Sequence, residues 1–408
     1  MAQDKDQKTL NVPPLRFPSF TDEWKRSTLK DYLIENKERN SRGEFSKDEV
    51  LSVSGDKGIV NQIQLLGRSY AGQSVMPYHI VRRNNIVYTK SPLSEFPYGI
   101  VKMNRGKDGI VSTLYAVYSV LDSADSSFIE YYFASKDRTN RYFKPIVRIG
   151  AKHDMKIGNT EVLENQVNFP DKTEQCRISE FLELIDERID TQNKIIEDLK
   201  KLKSALIDSL LGRVQTDESD RMVKLGEIGK FTRGLTYSAE DIVEDGGIVV
   251  ARANNLSNGE AVNLYNEIVR VDKPISDSQL LKYGDMVICM ANGSSALVGK
   301  ASYYNETTDS IATIGAFCGI YRSDRKIVRW LLQTNKYKRA IHKSLQGGNG
   351  AIANLTPNDI LGLSFIIPKQ EPSIVVLLQG FDEKLDIEIS LLHSLQKEKQ
   401  YLLSQMFI

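Results

Sequence analysis

Ile185, Ile189, Gln192, Ile196, Leu199, Lys203, Leu206 and Leu210 descend one helical face in alternating steps of four and three. The same spacing returns as Phe381, Leu385, Glu388, Leu392, Leu395, Lys399, Leu402 and Met406. Each position lies 196 residues after its counterpart, and both polar interruptions recur in register. Such spacing gathers apolar side chains onto a single seam, the pattern of a coiled coil. A repeat of this length implies a chain built as two copies of one unit.

The repeat extends beyond the helices. Leu29-Lys30-Asp31-Tyr32 stands 196 residues before Leu225-Gly226-Glu227-Ile228. Asn85-Ile86-Val87-Tyr88 matches Asp285-Met286-Val287-Ile288 as a turn entering a strand, and Pro170 and Pro368 each precede a heptad helix. Gly247–Ala253, Met286–Met290 and Ile311–Tyr321 read as short β-rich runs bounded by Gly, Asn and Asp. Phe128–Ala134 and Val328–Leu345 read as helical. The expected fold class is α+β: two pseudo-repeated globular domains separated by an antiparallel two-helix coiled coil. The expected divisions are a leader at 1–28, a globular domain at 29–170, a long helix at 171–212 and a linker at 213–221. A second globular domain at 222–368 and a second long helix at 369–408 follow.

Antiparallel pairing has a testable signature. Reflecting the seam about its centre sets Lys203 opposite Glu388 and Lys399 opposite Gln192, whereas parallel pairing would stack the two lysines. From its first to its last residue the seam spans 25 steps, about 38 Å at 1.5 Å rise per residue. That is close to one turn of B-DNA, about 34 Å, which makes the duplex a sensible partner.

Composition narrows the function classes. The 408 residues carry a net charge of +1, so nucleic-acid binding must rest on local patches. Three dispersed cysteines, Cys176, Cys289 and Cys318, argue for a reducing compartment and against a disulfide framework or zinc site. No run of eighteen apolar residues is present and the N-terminus lacks an apolar signal region, so a cytoplasmic protein without membrane association is expected. No H-E-x-x-H, Walker A or G-x-S-x-G motif occurs, and the four histidines are scattered. Neither a catalytic residue nor a metal site is expected.

Basic residues do cluster. Arg82, Arg83, Lys90, Lys102, Arg105 and Lys107 form one group, and Lys136, Arg138, Arg141, Lys144, Arg148, Lys152 and Lys156 a second. Arg325, Lys326, Arg329, Lys336, Lys338, Arg339 and Lys343 form a third, with no acid among them. These are expected phosphate contacts. The glycine-bearing loops that follow add His153 and Asn349, and Arg252, Asn254, Asn255 and Asn292 stand at strand ends, where their side chains could reach base edges. The proline- and aromatic-rich leader reads as a segment docked on a surface.

Two variable globular halves, each closed by a proline and a heptad helix, resemble the specificity subunit of type I restriction–modification enzymes. Val12-Pro13-Pro14-Leu15-Arg16-Phe17-Pro18-Ser19-Phe20, Glu23-Trp24 and Leu29-Lys30-Asp31 are similar to that family in low-GC Gram-positive bacteria. So is Asp186-Glu187-Arg188-Ile189-Asp190, echoed by Asp382-Glu383-Lys384-Leu385-Asp386. The resemblance implies two target recognition domains reading a split, asymmetric double-stranded DNA site, with the helices fixing the gap. It further implies two methyltransferase subunits using S-adenosylmethionine, and motor-nuclease subunits using ATP and magnesium, with no chemistry in this chain. Two other readings compete: a coiled-coil scaffold that never touches DNA, and a divergent stand-alone methyltransferase or nuclease.

Overall fold

The structure, a computed structural model, describes residues 11–93, 95–149, 155–212, 221–306, 311–345 and 353–408. The chain divides into two compact units: residues up to Gln192 together with Leu391–Ile408, and the continuous stretch Asn193–Ser390. Two long helices, Lys172–Leu211 and Glu371–Gln405, each contribute one end to each unit.

The first unit is closed by its outermost strands, Lys25–Thr28 paired antiparallel with Gln166–Phe169. Inside lies a four-stranded antiparallel sheet in the order Leu33–Glu35, Ala116–Val120, Ile86–Tyr88, Val101–Met103. The edge pair His79–Val81 and Gly109–Val111 stands beside it. Helices Ser126–Tyr132 and Lys136–Phe143 start on Asp125 and Ser135, whose side chains accept the backbone N–H groups of Phe128 and Arg138, three residues on. The core is aromatic: Tyr88 stacks on Phe143 at 4.4 Å, and Phe128 meets Phe169 edge-on at 5.0 Å. Each buried ring contributes roughly 2–3 kcal/mol by removing apolar surface from water. Phe407, from the far end of the second long helix, lies against Trp24, Phe128 and Tyr132 in this core.

The second unit repeats the closure with Arg221–Lys224 against Ser364–Ile367. One antiparallel sheet orders Lys230–Arg233, Cys318–Arg322, Met286–Cys289 and Ala301–Tyr303. A second orders Ile242–Val243, Val269–Val271, Ile248–Ala251 and Ala312–Ile314, the last pair running parallel. The run Ile311–Tyr321, expected as one β-rich segment, is therefore two strands in different sheets, broken at Gly315–Phe317. Val328–Leu345 is likewise two helices, Val328–Leu331 and Asn335–Leu345.

Pro170 and Asp171 start the first long helix, the Asp171 carboxylate accepting the Glu174 N–H at 3.0 Å. Gly212 follows its last turn and donates to the Asp208 carbonyl at 2.9 Å. The Asp208 carboxylate takes the Asn335 backbone N–H at 2.7 Å and thereby anchors the basic helix Asn335–Leu345.

All sixteen seam residues are buried or half-buried. In the first unit Ile178 and Leu182 share a core with Leu402, Leu403 and Met406, so residue numbers rise on one helix as they fall on the other. In the second unit Ile207 and Leu211 share a core with Val375 and Leu378 in the same sense. Pairing is antiparallel in both units.

The register differs from the expected one. Lys203 pairs with Asp382 at 2.5 Å instead of Glu388, and Lys399 with Asp186 instead of Gln192. The expectation reflected only the heptads common to both helices. The buried ladder begins earlier on each, at Ile178 and Val375, and this displaces its centre toward both helix N-termini. Glu388 instead meets Lys384, one turn away on its own helix, at 2.5 Å.

Candidate nucleic-acid interface

In the first unit, the turn entering Ile86–Tyr88 is held by the Arg82 N–H donating to Asn85 Oδ1 at 2.8 Å. Asn84 takes the left-handed conformation there, at φ 66°. The Arg82 guanidinium is clamped by Glu38, Glu44 and Asp108 at 2.8, 2.6 and 3.3 Å. These bonds push the Arg82 pKa up and hold the Glu44 carboxyl below its ordinary range. Arg83 is anchored through its backbone N–H on Asp108, which leaves its side chain exposed. Lys90 is turned inward: its Nζ donates to the Ile157 carbonyl at 3.2 Å and to Asn159, and burial lowers its pKa. Arg105 is exposed but bound to Glu130 and Glu183. Arg141 and Arg148 are exposed, whereas Lys152, His153 and Asn349 lie outside the described residues.

Arg138 and Arg329, also from the basic clusters, are drawn inward too. Arg138 is buried with its Nε on the Tyr132 carbonyl at 2.9 Å, 4.7 Å from the Phe407 ring centre. Burial lowers its pKa to about 10. Arg329 lies over the Tyr303 ring and pairs with Asp382 at 2.8 Å. Aromatic faces and a buried acid recruit these guanidinium groups into the interior.

In the second unit three expected contacts come together. Arg252, Asn254 and Asn292 line a cleft of about 660 Å³, with Tyr237 and Phe317 beside them. Arg252 donates to the Glu267 carbonyl at 3.0 Å, and Asn254 Nδ2 to the Glu267 carboxylate at 2.6 Å. Asn292 accepts the Ser294 N–H at 3.0 Å. Asn255 is buried and spent on the fold: it takes the Arg252 N–H and donates to the Asn266 carbonyl, both at 2.8 Å. Lys338, Arg339 and Lys343 are exposed on the helix Asn335–Leu345, with Lys338 facing a second concavity of about 600 Å³.

The described part of the leader packs within the first unit. Arg16 grips the buried Glu174 through two hydrogen bonds of 2.6 Å, and Phe17 meets Phe181 edge-on at 5.8 Å.

No family model matches the chain. Over 164 residues, 38% of the chain, it is 30% identical to the type I restriction enzyme EcoKI specificity subunit of Escherichia coli (strain K12). The match spans about a third of that relative's length, 32%. The whole fold superposes on the S subunit of a type I restriction–modification system from M. genitalium. The TM-score is 0.55 at 17% identity, covering 97% of this chain and 99% of the other. The fold is that of a type I specificity subunit. A chain from work on complex assembly and conformational transition of the type I R-M system aligns similarly. Its TM-score is 0.56 at 13% identity, with 97% and 99% coverage.

Within this specificity-subunit fold, the described residues contain no group of three His, Cys, Asp or Glu that could hold a metal ion. No described helix is long and apolar enough to cross a membrane. Cys289 and Cys318 face each other on adjacent strands as buried free thiols. Tyr237, Phe317 and Arg233 were not among the residues expected at the site. Only the glycine at 315 hints at the turn that presents Phe317.

Proposed function

We propose that the chain is the DNA sequence-specificity subunit of a type I restriction–modification complex. Each unit reads one part of a bipartite, asymmetric site in double-stranded DNA. The paired helices set the unspecified spacer and dock two methyltransferase subunits, and motor-nuclease subunits join that core. The chain is non-catalytic and acts in the cytoplasm. S-adenosylmethionine, ATP and magnesium belong to the partner subunits.

The observation that carries this reading is the repeated plan: two units of one strand-closed design, each holding an antiparallel end of the same two helices. Exposed apolar side chains on those helices support docking: Leu184 and Tyr401 in the first unit, Leu202 and Ile387 in the second. Arg83, Arg141 and Arg148 in the first unit remain candidates for phosphate contact, as do Arg252, Lys338, Arg339 and Lys343 in the second. So do Lys152, His153 and Asn349, while Asn254 and Asn292 are the candidates for base edges.

Methylome sequencing of cells with and without the chain tests the reading. A split adenine-methylated motif should vanish with the chain, and an unchanged methylome would refute it. Transfer of label from S-adenosylmethionine to DNA by the purified chain alone would favour a stand-alone enzyme. Failure to bind duplex DNA at any salt, even with the modification subunit present, would favour a scaffold.

A further inference from the structure

Between Ala312–Ile314 and Cys318–Arg322 the chain makes a turn whose tip carries Phe317. Phe317 is 66% exposed. Its backbone, in contrast, is pinned. The Phe317 carbonyl accepts the Met290 and Ala291 N–H groups at 2.8 and 3.1 Å. The Gly315 N–H donates to the Ala251 carbonyl at 2.9 Å, and the Cys318 N–H to the Gly315 carbonyl at 2.9 Å. Gly234 crosses beneath so closely that a Cβ there would stand 2.2 Å from the Gly315 oxygen. A rigid support thus holds a bare aromatic ring in water, where burial would have been favourable.

The surroundings indicate the occupant. Phe317 borders two clefts, the one of about 660 Å³ with Arg252, Asn254 and Asn292, and one of about 180 Å³ with Arg233 and Asn354. Both thus combine an exposed guanidinium with an amide. Among the described residues no carboxylate lines either cleft. Cations suit phosphates, amides suit base edges, and an apolar ring suits the space between stacked bases. The first unit also carries an exposed apolar residue at a strand-joining turn: Leu114, 70% exposed, between Gly109–Val111 and Ala116–Val120.

We propose that Phe317 is a wedge that enters a base step of the half-site read by the second unit and partly unstacks it, with Arg252 and Arg233 on the flanking backbone. This rests on the specificity-subunit reading above. Its role is to make the step's deformability part of what is recognised.

The test uses the full chain assembled with its modification subunits, and duplexes carrying the site mapped by methylome sequencing. 2-Aminopurine is placed in turn at each step of both half-sites. With the native chain, fluorescence should rise at one step of one half-site other than the adenines that the modification subunits flip out for methylation. Phe317→Ala should abolish that rise and weaken binding to the mapped site about tenfold or more, with random-duplex binding unchanged. Phe317→Trp should restore both. Phe317→Ala matching the native chain in fluorescence and affinity would overturn the wedge while leaving the specificity reading intact. Equal loss on mapped and random duplex would also overturn it, as the mark of a general defect. No discrimination of mapped from random duplex by the native complex would sink both ideas.

Discussion

Lys203 and Asp382 form an ion pair at 2.5 Å, their side chains only 11% and 8% exposed. Asp382 also accepts Arg329 at 2.8 Å and the Trp330 indole N–H at 3.1 Å. The equivalent pair 196 residues away, Asp186 and Lys399, is more exposed, with Asp186 35% exposed. Removing one partner of a buried pair leaves an uncompensated charge, whereas a half-exposed acid is replaced by water. Asp382→Ala should therefore cost about 3 kcal/mol in urea unfolding and Asp186→Ala about 1 kcal/mol or less. Equal losses would contradict this account of the seam.

His79 is buried in the first unit, and burial lowers its pKa to about 4, with Arg39 nearby adding to the effect. The unfolded chain, with an ordinary imidazole near 6.5, then binds more protons than the native one between pH 6.5 and 4. Stability present above pH 6.5 is lost as pH falls through that window, by about 2 kcal/mol at pH 5. A His79→Phe chain should lose correspondingly less between pH 7 and pH 5, measured as the shift in urea midpoint. Parallel pH profiles for the two proteins would assign the acid sensitivity elsewhere.

The three thiols differ in access. Cys176 is half-buried, whereas Cys289 and Cys318 are buried on neighbouring strands of one sheet. Iodoacetamide under native conditions should label Cys176 alone, and all three in urea, as read by peptide mass spectrometry. Native labelling at Cys318 would mean that the strand Cys318–Arg322 opens readily.

If the helices act as a spacer, adding one heptad to each at its midpoint keeps the seam in phase and extends it by about 10 Å. At about 3.4 Å per base pair, the unspecified gap in the methylated motif should grow by roughly three base pairs, with both half-sites unchanged. An unaltered gap in methylation mapping would remove the helices from that role.

The seam could be read because its period survives divergence: alternating steps of four and three leave the same face apolar whatever the globular parts do. The pairing offset could not, because Ile178, Leu182, Val375 and Leu378 precede the shared heptads and look like ordinary apolar residues of a helix start. Arg138 and Arg329 resemble surface cations in a linear view. Only the fold supplies the Tyr132 carbonyl, the Tyr303 ring and Asp382 that draw them inward. Phe317 was hidden for the opposite reason. A turn inside an apolar run carries no polar marker, so the exposed ring looks like one more strand residue. Arg252, Asn254 and Asn292 were recognisable as polar strand ends, but their convergence depends on sheet order, which short-range patterning does not encode.

Phe407 fixes the order in which the molecule can be finished. The first unit borrows Leu402, Leu403, Met406 and Phe407 for its core, while the second is one uninterrupted stretch, Asn193–Ser390. During synthesis the later-made module has all its parts first. The earlier one waits with Trp24, Phe128 and Tyr132 uncapped until Phe407 has left the ribosome, so the half that emerges first is the last to close.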